Sequence, residues 1–263
     1  MTYYIVIVGP AGSGKSYLTA ALADWMEDQQ LGVATLNLDP AAEWLPYSPD
    51  IDVREYINSR YVMQKYNLGP NGALIVSVDM LINYIDKLKD EVDSIKPNYL
   101  IIDTPGQLEL FAFRKSGPLV LDMLIGDAKV VSLFLIDGTL ASSPSTYASL
   151  LLLSASVYVR LRKPQINVVT KTDMMSKDVL DYMIRWSEDP FEFSSALRSE
   201  TGNPLLIEFT DRVREGLSSL ELSWMPVFVS SKTGEGLDVL YGEIQRILCG
   251  GEDFLTEEPS PRL

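Results

Sequence analysis

The sequence predicts an α/β fold in which buried parallel strands alternate with amphipathic helices. Three observations predict it. Short apolar, β-branched runs recur at Tyr3 to Val8, Val33 to Leu38, Tyr99 to Ile102, Lys129 to Ile136, Gln165 to Val169 and Met225 to Val229. Between them lie stretches with apolar residues at helical spacing. Several runs end in glycine-rich or acidic turns, where α/β sheets place their ligands.

Composition narrows the chemistry. With 263 residues, 46% of them hydrophobic, the chain can bury a large core as one α/β domain. A net charge of −14 disfavours direct binding to nucleic acid or an anionic membrane. The single cysteine, Cys249, permits no intramolecular disulfide and suits a reducing compartment. The absence of histidine excludes Ser-His catalysis, histidine general bases and histidine-ligated zinc. Met1-Thr-Tyr-Tyr enters a strand rather than a signal peptide. No apolar run reaches the ~18 residues of a membrane helix. The expectation is a cytoplasmic enzyme.

The first run feeds Gly9-Pro10-Ala11-Gly12-Ser13-Gly14-Lys15-Ser16-Tyr17, which has the spacing of a phosphate-binding loop. Glycines let backbone N–H groups turn inward around an anion, and the helix that follows aims its positive end at the same point. Lys15 would reach the β- and γ-phosphates, and the Ser16 hydroxyl would hold Mg²⁺. The strand before, and a helix from Lys15 to Gln29 with Leu18, Leu22 and Met26 on one face, favour this over an ordinary glycine turn.

The second run ends in Asp39-Pro40-Ala41-Ala42-Glu43, placing a carboxylate near the phosphate loop. Trp44 to Asn67 shows no clear strand, only a short helical portion over Val53 to Tyr66. Leu68-Gly69-Pro70-Asn71-Gly72 reads as a tight loop with glycine where a positive φ is wanted. A long amphipathic helix through Leu74, Val78, Leu81, Ile85 and Leu88 follows.

The third run delivers Asp103-Thr104-Pro105-Gly106-Gln107. Asp103 would hold Mg²⁺ and the Gly106 N–H would sense a γ-phosphate, while Gln107, with Glu109 beside it, would orient attacking water. Lys129 to Ile136 ends at Asp137-Gly138, before a helix over Ser145 to Leu161. Thr170-Lys171-Thr172-Asp173 then closes a strand with a nucleobase signal. The Asp173 carboxylate can accept from both N1–H and the 2-amino group of guanine, whereas adenine offers neither donor. Lys171 would lie its stem along the base. Thr170 stands where asparagine is usual, at a position that braces the loop. Ser176 to Leu222 is helical and charged, broken by Pro190 and Pro204, and shows no chemistry. Ser230-Ser231-Lys232 reads as a second guanine-contacting loop before a closing helix over Gly236 to Leu248. The stretch 250–263 reads as an acidic, flexible tail.

GPAGSGKS, DPAAE, GPN, DTPGQLELF and TKTD stand in this order on one chain. The sequence thereby resembles the GPN-loop GTPases over Met1 to Leu248. The resemblance implies a P-loop NTPase of three-layer α/β/α architecture with a mainly parallel central sheet. It would form one domain over 1–249, with helical insertions near 44–96 and 176–222. It implies GTP and GDP as ligands with Mg²⁺, and a homodimer in which Gly69, Pro70 and Asn71 reach the partner's γ-phosphate. Asp39, Gln107 and Glu109 then surround the attacking water, Ser16 and Asp103 hold the metal with Asp39 near it, and Lys171 and Asp173 read guanine. Eukaryotic members are linked to assembly of protein complexes, so protein clients are expected. Pro10 and Ala11 put no extra cation in the loop and nothing marks an arginine finger in cis, so a group donated by a partner suits the chemistry. The leading expectation is a Mg²⁺-dependent GTPase acting as a dimeric switch, whose segments after Asp39 and Gly106 move with the γ-phosphate. The alternatives are a GTP-gated scaffold with incidental hydrolysis and, further off, a P-loop kinase.

Overall fold

Strand β1 (Tyr3–Val8) lies inside the sheet, paired in parallel with β4 (Tyr99–Asp103) on one side and β5 (Val130–Asp137) on the other. The computed structural model describes residues 2–218 and 225–250; residues 219–222 of the expected insertion and 251–263 of the expected tail lie outside them. With β2 (Val33–Asn37), β3 (Ile51–Asp52), β6 (Gln165–Thr170) and β7 (Val227–Phe228), they form a seven-stranded sheet in the order β3-β2-β4-β1-β5-β6-β7. Every pairing is parallel, so the expected mainly parallel sheet is parallel throughout.

The apolar runs are continuous because both faces of the central strands are buried. Ile5, Ile7, Leu133 and Leu135 face helices α1 (Lys15–Asp28) and α11 (Leu237–Cys249). Their neighbours Val6, Val8, Phe134 and Ile136 join the other core, beneath α3 (Pro70–Leu81), α4 (Ile85–Ile95), α6 (Ser116–Ile125) and α7 (Pro144–Leu161). The result is three layers, helix on sheet on helix.

Connections leave β1 toward β2 and β3, return to β4, then cross to β5 beyond β1. This change of direction opens a crevice outside the carboxyl ends of β1 and β4. The helical insertion consists of α8 (Lys177–Glu188), α9 (Pro190–Thr201) and α10 (Pro204–Ser218), with Pro190 and Pro204 opening helices instead of ending them. It docks on α7 through Tyr147, whose ring meets Phe193 edge-on at 5.8 Å and Trp186 at 6.3 Å. Among the described residues, no helix is long and apolar enough to cross a membrane.

Four expectations need correction. The stretch 44–67 does contain a strand, β3, but its two residues are too few for a periodicity to show. The helical portion over Val53 to Tyr66 is two pieces, a 3₁₀ turn at Val53–Glu55 and helix α2 (Ser59–Tyr66). Gly69-Pro70-Asn71 is not a tight turn with positive φ. Gly69 has φ −71 and caps α3, while Pro70 starts it, as suits a ring with φ already helical. The positive φ belongs to Asn67, at 50°, which ends α2. The long helix is also divided, by a 3₁₀ turn at Ile82–Tyr84.

Gly236 has φ +81, and a methyl group there would collide with the Phe228 carbonyl. Gly236→Ala is expected to cost about 2–4 kcal/mol of stability in urea unfolding. Gly242, inside α11 with open space around it, provides the contrast: Gly242→Ala is expected to be neutral or stabilising by about 0.5–1 kcal/mol.

Candidate active site

Helix α1 begins at the mouth of the crevice with no side chain capping it and no acidic residue in its first turn. Its first N–H groups, and the positive end of its dipole, are therefore open to an external anion. Gly12 and Gly14 shape the approach with φ of 79° and 93°, beyond the reach of ordinary residues. A Cβ on Gly9 would lie 3.0 Å from the Leu135 carbonyl oxygen, so the loop rests directly on β5.

Lys15 is 6% exposed and turns back over the loop, donating to the Gly9 and Pro10 carbonyls at 3.0 and 2.9 Å. Burial lowers its pKa, opposed by Asp103 and Asp39. Thr170 braces the loop from below, its hydroxyl donating to the Ser13 carbonyl at 2.8 Å. Threonine thus performs the support usually given by asparagine. Tyr17 is exposed and meets the exposed Trp44 ring at 6.2 Å.

Asp103 ends β4 at 1% exposure, and burial pushes its carboxyl up to about 6 against the lowering influence of the neighbouring Ser16 hydroxyl, the Lys15 charge and the Tyr47 hydroxyl. The Tyr47 hydroxyl donates to Oδ2 at 3.2 Å. Oδ1 is buried without a hydrogen-bond partner. An orphaned carboxylate oxygen beside the Ser16 hydroxyl fits a hard cation that also takes phosphate and water oxygens. No cluster of three or more acidic, cysteine or histidine ligands exists among the described residues.

Asp39 is half-buried between two segments. It accepts from the Ala41 N–H at 2.8 Å, and burial raises its pKa against the lowering influence of the Ala41 and Gly106 amides. Gly106, the expected phosphate sensor, thus lies beside Asp39. Behind them Asn37 ties the Asp39 backbone to Asp52, and Arg54 joins Asp52 to the Ala42 carbonyl.

Gln107 is exposed at the head of the short α5 (Leu108–Phe111) and shares an open cleft with Pro70, Asn71, Ala41 and Arg60. Glu109 lies exposed on α5, and Gly69 is exposed. At the far end of the sheet, Asp173 is exposed, with Oδ1 accepting the Ser230 hydroxyl at 2.8 Å. Ser231 is half-buried and Lys232 exposed in the adjoining turn.

Sequence reasoning gave no role to Tyr47 or Asp137, and named Ser230 only as part of its loop, not as the partner of Asp173. Asp137 carried a usable signal, since it ends an apolar strand just as Asp103 does. Ser230 stood beside the two residues chosen in its loop. Tyr47 lies in a segment without periodicity, and only tertiary packing brings it to Asp103.

The chain matches, over residues 7–250, the model of a family described as a conserved hypothetical ATP binding protein. GPN-loop GTPase 3 of Dictyostelium discoideum is 32% identical over 267 residues, covering 97% of this chain and 90% of that one. GPN-loop GTPase 1 of the same organism is 29% identical, covering 91% of this chain and 60% of its own length. Across four such relatives the chain spans 60% to 65% of their length. A GTPase from Pyrococcus abyssi, solved in apo form, superposes with a TM-score of 0.81 at 26% identity, covering 94% of this chain and 98% of that one.

Because the folded pKa of Asp103 lies above the ordinary value, its ionised form opposes folding. The associated stability is complete below the unfolded pKa and is lost as pH rises through about 6. In the ligand-free chain with chelator, Asp103→Asn is expected to gain about 2–3 kcal/mol over the parent near neutral pH, shrinking toward zero by about pH 4. Urea unfolding of both proteins across pH measures the difference; a gap independent of pH contradicts it.

Proposed function

The chain belongs to the GPN-loop GTPase family, and from that membership we propose that it hydrolyses GTP to GDP and phosphate as a homodimeric switch. One observation carries the reading: the uncapped start of α1, with Lys15 and Ser16, faces the buried Asp103 and its unpartnered oxygen. That combination suits a nucleotide phosphate tail and little else. Asp173, braced by Ser230, favours guanine over adenine, although the matching family model carries an ATP-binding description.

In this reading the N–H groups of Gly12, Ser13 and Gly14 and the Lys15 ammonium cradle the phosphates, with Gly9 giving the loop room and Tyr17 flanking it. Water, oriented by Gln107, Glu109 and Asp39, attacks the γ-phosphorus, and the bond to the oxygen bridging to GDP breaks. Lys15 meets the charge that builds on the departing oxygens. Ser16 and Asp103 would hold Mg²⁺ with Asp39 near it, and the ion when bound neutralises charge on the β- and γ-oxygens. Gly106 donates to the γ-phosphate. Lys171, Asp173, Ser231 and Lys232 enclose the base.

Asn71 acts in trans. Pro10 and Ala11 offer no second cation, and Gly69, Pro70 and Asn71 form the exposed start of α3, where no side chain bonds the first N–H groups. A partner's loop could thus bring polar groups to a γ-phosphate. The dimer would serve cytoplasmic assembly of protein clients without touching nucleic acid or membrane.

GTP is expected to turn over at least ~100-fold faster than ATP with Mg²⁺, as site-built base hydrogen bonds require. Equal rates would remove the guanine reading. Asn71→Ala is expected to lower single-turnover hydrolysis ~10–100-fold with GDP affinity retained. Light scattering across concentration tests the dimer, and full hydrolysis by a monomer would remove the trans role.

A further inference from the structure

Strand β5 ends in Asp137, a carboxylate the proposed hydrolysis leaves without a task. Its Oδ2 receives the Lys171 ammonium at 2.6 Å. Oδ1 accepts from the Thr139 N–H at 3.0 Å and the Thr139 hydroxyl at 2.7 Å. Asp137 is 8% exposed and the Lys171 side chain 30% exposed, so the carboxylate end of the pair sits largely out of water. Although burial opposes it, the bonds from Lys171 and Thr139 hold the Asp137 carboxyl below the usual carboxylate range.

The backbone around the pair is equally constrained. Lys171 has φ +62, the left-handed region that a side chain with a Cβ enters only at a cost. Asp137 registers opposite Thr170 on β6, and the Gly138 N–H donates to the Thr170 carbonyl at 3.1 Å. A Cβ on Gly138 would stand 2.7 Å from that carbonyl oxygen and 2.5 Å from the Met175 sulfur, so the two loops meet backbone to backbone. Lys171 is thus held by its main chain at one end and by its ammonium at the other.

We infer that Asp137 is a positioning residue for base selectivity, fixing Lys171 so that its aliphatic stem forms one wall of the guanine pocket. This rests on the guanine reading proposed above. A free lysine would lose rotamer freedom at each binding event, which weakens affinity. Paired with Asp137, the side chain is ordered before the nucleotide arrives. Its charge is neutralised at the far end, leaving the stem to lie along the base. Asp173 then reads the base edge against a fixed wall.

The test is calorimetric titration of the full chain with GDP, ADP and inorganic pyrophosphate, in the parent and in Asp137→Asn. The expected result is about a 10–30-fold loss of GDP affinity, with ADP and pyrophosphate within about twofold of the parent. A mere staple between β5 and β6 would lower the melting temperature and leave the GDP-to-ADP ratio intact, and that outcome overturns the inference. In a Lys171→Met background, Asp137→Asn should have no further effect on GDP; a full additional loss also overturns it. Thr139→Val, at an exposed position, keeps the carboxylate and removes one bond to it. It should weaken GDP about 2–5-fold and spare ADP, and decides the question if Asp137→Asn does not fold. A parent that binds GDP and ADP equally instead ends the guanine reading, and the inference with it.

Discussion

The start of α1 is a set of donors that the chain declines to satisfy. A helix N-terminus ordinarily recruits a serine, threonine or aspartate to cap it, and this one begins with Gly14 in the left-handed region. The surroundings keep it that way. Gly9 seats the loop on β5, Thr170 holds the Ser13 carbonyl from below, and Lys15 folds back on its own loop carbonyls. The sheet order puts the carboxyl ends of β1 and β4 side by side at this point, so Asp103 arrives beside Ser16 by topology alone.

Such a site is costly to maintain. Asp103 is buried with one oxygen unpartnered, Ser13 carries a buried hydroxyl without a partner, and Lys15 is desolvated. Each departure from ordinary satisfaction is a place where an anion or a cation would be welcome. The cores on both faces of the sheet, built from β1 and β5 side chains of alternating direction, supply the rigidity that holds these groups in place.

Much of this was legible in the residues. Continuous apolar runs revealed the central strands because both their faces are buried, and glycine-lysine spacing revealed the phosphate loop. Strand β3 was invisible because two residues have no period. The GPN segment misled because glycine and proline signal turns as readily as helix starts, and only the preceding Asn67, with its positive φ, takes the turn. The role of Tyr47 and the pairing of Ser230 with Asp173 were beyond reach for another reason: the partners lie 56 and 57 residues away in sequence.

One contact bears on the switch proposed above. The Gly106 amide sits against the Asp39 carboxylate and favours its ionised form, so the segment after β2 and the segment after β4 share one electrostatic neighbourhood. A ligand anion that recruits the Gly106 amide would withdraw that support from Asp39, so whatever enters at the end of β4 is felt at the end of β2.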